Sequence, residues 1–154
     1  MLLLCFSMGG GRFAMDASDV LEVVPLVELE KVPGAPEYVA GIMRCHGRAV
    51  PVVDLCVLGA GRPAKELLST RIILARYREG DGGEWELGLV AERVTETMLV
   101  DPKNFVLTGV SLKEADYLGK VVYDDEGMIQ IVDVAGILPG TAREILFQKE
   151  ETGT

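Results

Sequence analysis

A chain of 154 residues with a formal net charge of −9 has room for one domain, or for two small lobes sharing a core, burying roughly 70% of its unfolded surface. Almost half the residues are apolar and a quarter are charged, the balance of a soluble globular protein. So acidic a chain is repelled by phosphate backbones and anionic lipid, which argues against nucleic-acid binding and membrane insertion.

The first element in chain order is a β-strand over Leu2–Phe6, whose apolar run is too short for a signal or a membrane span. GGGR at 9–12 lacks the lysine and the following helix of a phosphate loop and reads as a hairpin turn. RFAMDASDVLEVVPL alternates apolar and polar residues on either side of a polar break, where Asp16 and Ser18 can cap one helical turn between two strands. In GIMRCHGRAVPVVDL, residues 42–45 form a strand, His46-Gly47 the turn and 49–54 the return strand. Pro51 cannot donate to a ladder, so that strand lies at an edge or leaves that position unpaired. PAKELLS, with Pro63 near its start, predicts about two turns of helix joining two halves of the chain. RYREGDGGEWEL predicts a second hairpin with a Gly-rich tip. SLKEADYL (Ser111, Glu114) and TAREILFQKEE (Thr141, Glu144) carry capping boxes, the latter opening a C-terminal helix.

The chain also repeats itself. RFAMDASDVLEVVPL matches ELGLVAERVTETMLV at one constant spacing, with Phe13 on Leu87, Met15 on Leu89, Val20 on Val94 and Glu22 on Glu96. YVAGIMRCHGRAVPVVDL matches YLGKVVYDDEGMIQIVDV, with Gly47 facing Gly127 and VDL at 53–55 facing VDV at 132–134. These matches imply a duplicated, mainly β protein, built as two small β-barrels or sandwiches within one domain over 1–154. The expected lobes are 12–70 and 71–138, with a helical tail at 141–154.

Cys45, His46 and Asp54 are the parts of a nucleophilic site, and a small Cys/His-dependent hydrolase is the rival reading. Neighbouring strand residues point to opposite faces, so Cys45 and His46 should diverge. A single histidine, three cysteines and no CxxC pair also argue against a disulfide framework and a zinc site of usual spacing. Thiols that stay reduced point to the cytoplasm. Asp54 and Asp133 occupy equivalent strand ends and read as caps of the following turns. Asp124, Asp125 and Glu126 form a solvated turn and not a metal site. Arg44, His46 and Arg48 cluster at an exposed tip; pattern alone favours solvation of the turn over a docking patch. No enzyme, cofactor or metal is expected.

VPGAPEYVAGI at 32–42, the hairpin, VPVVDL, ELGLVAERV and the final IVDV together resemble the CheW family of bacterial chemotaxis coupling proteins, over nearly the whole chain. The resemblance implies two SH3-like five-stranded β-barrels with short connecting helices. It also implies a non-catalytic adaptor between the cytoplasmic tips of methyl-accepting chemoreceptors and the regulatory domain of a CheA-type histidine kinase. Such a protein is a monomer or weakly self-associating, and is recruited to membrane-associated receptor arrays. By position, the partner-binding surface falls on Val20, Glu22, Gly41, His46 and Gly47, with Arg44 beside them at the tip. Where the family reads Asn-Leu-Arg-Gly, this chain reads Arg44-Cys45-His46-Gly47. Histidine cannot make arginine's bidentate contact, and this points to a non-flagellar chemosensory pathway.

Overall fold

The computed structural model describes residues 1–79, 83–107, 120–139, 142 and 146. Apolar side chains fill every position of β1 (Leu2–Met8) except Ser7, and all positions but the first are buried, because both faces of the strand meet a core. The chain turns at Gly9 and Gly10, at φ 60° and 90°, into β2 (Gly11–Asp16), so GGGR is the expected hairpin turn. Asp16 then accepts from the Ser18 amide at 2.9 Å and caps a 3-10 turn, Ala17–Asp19, before β3 (Val20–Pro25).

The hairpin of β4 (Val39–Cys45) and β5 (Arg48–Asp54) comes next, then β6 (Arg71–Glu79) and the long β7 (Gly83–Leu99). The two-residue β8 (Val106–Leu107), β9 (Lys120–Asp124) and β10 (Gly127–Ile131) complete the strands. Of two short helices, α1 (Leu55–Ala60) starts directly after β5, and α2 (Val134–Ile137) follows β10 after Val132 and Asp133. Asp54 caps the first through the Cys56 amide at 2.9 Å and Asp133 caps the second through the Ala135 amide at 3.1 Å. Both aspartates are the caps the sequence suggested.

The duplication is visible in the strand register. Val52 lies parallel to Gly88 in one lobe, and Ile131 lies parallel to Ala14 in the other. Val24 faces Ile72 as Met98 faces Leu3, and Met43 faces Val50 as Val122 faces Ile129. One detail differs from the sequence alignment. Cys45 pairs with Arg48 and Asp124 with Gly127, so Gly127 corresponds to Arg48, not to Gly47.

Strand pairing does not follow the linear division into 12–70 and 71–138. The first lobe pairs β4, β5, the first half of β7, β6 and β3. The second pairs β8, β9, β10, β2, β1 and the second half of β7. Each repeat therefore begins in one sheet and crosses to the other, between β2 and β3 in one copy and inside β7 in the other. At the second crossing Arg93 takes φ 50°, a left-handed residue that bends the strand between sheets.

Alternation along the strands sorts side chains among three cores. Met43, Val50, Val52, Ile72, Leu74 and Val90 fill the first lobe, and Leu3, Cys5, Ala14, Val100, Val122 and Ile129 fill the second. The intervening positions, including Leu4, Phe6, Ile73, Tyr77, Leu87 and Leu89, join the larger core between lobes.

One expected element is absent. PAKELLS is not helical; it runs as an extended strap held by carboxylates distant in sequence. Ala64 N–H donates to Asp54 at 2.9 Å and Lys65 N–H to Glu92 at 2.8 Å. The helix lies earlier, at α1, closed by Gly61 at φ 70°. The capping boxes at Ser111/Glu114 and Thr141/Glu144 and the tip at 80–82 fall outside the described residues. Within the expected C-terminal helix, Ala142 is buried and Leu146 packs on the central core.

Candidate partner-binding site

The β4–β5 hairpin turns through His46 at φ 51° and Gly47 at φ 78°, the two left-handed residues of a type I′ turn. A Cβ on Gly47 would meet nothing within 4 Å, so dihedral angle and not crowding demands glycine there. Gly41 is different. It is buried at φ 148°, and an added Cβ would lie 2.5 Å from the Glu30 carbonyl oxygen. The chain at Glu30 pairs with Ile42 through two hydrogen bonds, 3.0 and 2.8 Å, and only a glycine next to Ile42 lets it approach. Gly41 therefore acts on the site from beneath, by fixing the chain over β4.

β3 and β4 stand at opposite ends of the first lobe's pairing order, yet His46 Nε2 lies 3.0 Å from Glu22 Oε2. The sheet curls until its ends meet at the hairpin tip, although the ladder does not close into a continuous barrel. Glu22 is placed by a bulge in β3, where the register with β6 shifts between Val20 and Glu22. Val20 is half-buried and packs on the central core. Arg44 is exposed, and Arg48 pairs with Glu86 at 2.9 Å. Thus Glu22, Arg44, His46 and Gly47 share the tip, while Val20 and Gly41 support it.

The expectation that Cys45 points away from His46 is corrected. His46 occupies a left-handed turn position, so strand alternation does not apply to it. The Cys45 sulfur, a His46 ring nitrogen and a Glu22 carboxylate oxygen lie within 4.8 Å of one another. The trio lacks the features of an activated nucleophile. Partial burial, then the Glu22 and Glu86 carboxylates, push the Cys45 thiol up, away from the thiolate such chemistry needs. The His46 side chain is 78% exposed.

Beside the hairpin, the loop from β3 to β4 and the chain at 63–66 line a groove of about 580 Å³. Its walls include Leu26, Val27, Leu29, Val32, Pro36 and Val57, and Val27 and Val32 are exposed. Sequence reading does not find this groove; its one signal is the unexplained apolar density of VPLVELEKVPGAP.

Residues 2–141 match the model of the CheW-like domain. The chain belongs to the CheW-like domain family. It is similar to chemotaxis protein CheW of Thermotoga maritima, 26% identical over 137 residues, covering 88% of this chain and 86% of that one. Chemotaxis protein CheW of Rhizobium meliloti is 24% identical over 144 residues, 92% and 90% of the two chains. In fold it resembles the scaffolding protein TtCheW of Thermoanaerobacter tengcongensis, with a TM-score of 0.76 over 90% of this chain and 87% of that one, at 24% identity. The mainly β, two-lobed CheW-like fold stands as expected. No helix among the described residues is long and apolar enough to cross a membrane.

Proposed function

We propose that the protein is a non-catalytic adaptor that couples the cytoplasmic tips of methyl-accepting chemoreceptors to the regulatory domain of a CheA-type histidine kinase. It would act in the cytoplasm, at membrane-associated receptor arrays, as a monomer or weak self-associate. The observation that carries the reading is the first-lobe tip. There, in a member of the CheW-like family, Glu22, Arg44 and His46 form an exposed polar cluster, and the far end of the same hairpin, at Val39, Ala40 and Asp54, lines a groove with apolar and charged walls. Such a surface offers a helix a groove for its apolar face and a charged rim for register. His46 supports a non-flagellar partner set, because it cannot form the planar, two-point contact that an arginine at this position gives.

The test is a binding screen of the full chain against each chemoreceptor signalling tip and each kinase regulatory domain of the host. A complex with one cognate receptor and kinase outside the flagellar set is expected. Binding to none of them overturns the adaptor reading, and binding to the flagellar set alone overturns the choice of pathway.

A further inference from the structure

We propose that Glu22, Cys45 and His46 form a binding site for a thiophilic divalent cation, of which Zn²⁺ is the natural example, at the tip of the β4–β5 hairpin. Three different donor atoms lie within 4.8 Å of one another: a carboxylate oxygen, a thiol sulfur and an imidazole nitrogen. The nitrogen and oxygen are 3.0 Å apart. Two such ligands on one tetrahedral ion, with bonds of about 2.0 Å, stand roughly 3.3 Å apart. Small rotations of the exposed Glu22 and His46 side chains bring their donors onto an ion shared with the partly buried Cys45 sulfur.

The left-handed conformation of His46 makes the site possible. At φ 51° the residue escapes strand alternation, and its ring returns to the side of the preceding cysteine. The corresponding positions of the second lobe show what a blocked cluster looks like. There Asp124 stands where Cys45 stands, and Arg12 holds it with two hydrogen bonds, 2.7 and 2.5 Å. In the first lobe Arg48, one of the hairpin's two arginines, is taken by Glu86 at 2.9 Å, and the Glu22 carboxylate faces the His46 ring instead.

Thiolate and imidazole select zinc or cobalt over calcium and magnesium. On binding, the cation replaces the thiol proton, which leaves to solvent, and the carboxylate and thiolate together balance its two charges. Three protein ligands leave a fourth position for water, or for a side chain of whatever docks on this face. The proposal does not depend on the adaptor reading, because the isolated chain binds the ion.

The experiment is titration of the reduced full chain with Co²⁺, followed by displacement with Zn²⁺. One ion per chain is expected, with tetrahedral ligand-field bands and a sulfur-to-cobalt charge-transfer band that Zn²⁺ abolishes. Cys45→Ser should remove the charge-transfer band, and His46→Ala and Glu22→Gln should each weaken binding at least about tenfold. Cys5→Ser and Cys56→Ser, at buried thiols, should leave the spectrum unchanged. A spectrum without sulfur ligation, or one that survives Cys45→Ser, overturns the site. All variants are compared by circular dichroism, and since receptors and kinases take no part, failure here is separate from failure of the docking proposal.

Discussion

Arg12 closes on Asp124 with both terminal guanidinium nitrogens, at 2.7 and 2.5 Å, tying β2 to the end of β9. Asp124 also accepts from the Glu126 amide at 2.9 Å, so one carboxylate fixes the turn and anchors it to the neighbouring strand. The first lobe makes a tie of opposite polarity, Glu86 on β7 holding Arg48 of the hairpin. Glu86 stands where Arg12 stands, but Arg48 corresponds to Gly127 and not to Asp124, so each lobe tethers its hairpin through a different strand of it.

This pairing predicts an acid sensitivity. The Arg12 hydrogen bonds hold the Asp124 carboxyl at about 2, below its ordinary 3.8. A folded-state value below the unfolded one stabilises the fold above pH 3.8 and loses that contribution as pH falls toward about 2. Arg12→Ala should lower the thermal midpoint at neutral pH. Its gap from the parent should close through that acid window when unfolding is followed by circular dichroism. A gap that stays constant with pH would falsify the assignment.

Glu92 makes a second prediction. It accepts two hydrogen bonds from Arg62, at 3.2 and 3.0 Å, and one from the Lys65 amide at 2.8 Å. Arg62 and that amide lower its carboxyl to about 2 from 4.5, so its contribution too is present above pH 4.5 and is lost on acidification. Glu92→Gln should cost about 1–3 kcal/mol in urea unfolding. Hydrogen exchange should quicken at Lys65 more than at Ala64, whose amide stays on Asp54. Equal protection at both sites would mean that other contacts hold the strap over residues 62–66.

Gly41 and Gly47 separate structure from recognition. At Gly41 an added Cβ meets the Glu30 carbonyl at 2.5 Å and the Leu29 Cβ at 2.9 Å, at φ 148°, so Gly41→Ala should cost about 2–4 kcal/mol. At Gly47 only the backbone angle resists, and Gly47→Ala should cost about 1 kcal/mol. Equilibrium denaturation of the two variants checks the order. The reverse order would mean that the segment at Glu30 gives way easily, leaving Gly41 without its supporting role.

Much of the fold is legible because local chemistry announces itself. Asp16, Asp54 and Asp133 each cap the helical turn directly after them, and His46-Gly47 has the residues of a two-residue turn. The exchange of strands between lobes is not legible. Leu3 and Leu4 enter different cores, and a strand buried on both faces carries no alternation to say which sheet it joins. Asp54 and Gly61 bracket α1, yet Pro63 makes the next segment the more obvious helix. There the Ala64 and Lys65 amides go to Asp54 and Glu92, contacts that the local sequence does not announce. The meeting of Glu22 with Cys45 and His46 depends on the curl of a whole sheet, which no short stretch encodes.

The last prediction concerns recognition at that meeting point. Glu22 and His46 contact each other at 3.0 Å on side chains 45% and 78% exposed, so their removal should hardly change stability, by about 0.5 kcal/mol or less. If the tip docks a partner, Glu22→Ala and His46→Ala should each weaken that complex by about 1–2 kcal/mol. The double variant should lose less than the sum, because each residue positions the other. His46→Arg adds the reach and planar fork of arginine while keeping the pairing with Glu22. It should weaken binding to a receptor fitted to histidine and strengthen binding to one that expects arginine. Isothermal titration of the four proteins against the cognate receptor tip and a flagellar one reads both effects. Additive losses in the double variant, or no change of preference with His46→Arg, would show that Glu22 and His46 solvate the tip and take no part in choosing the partner.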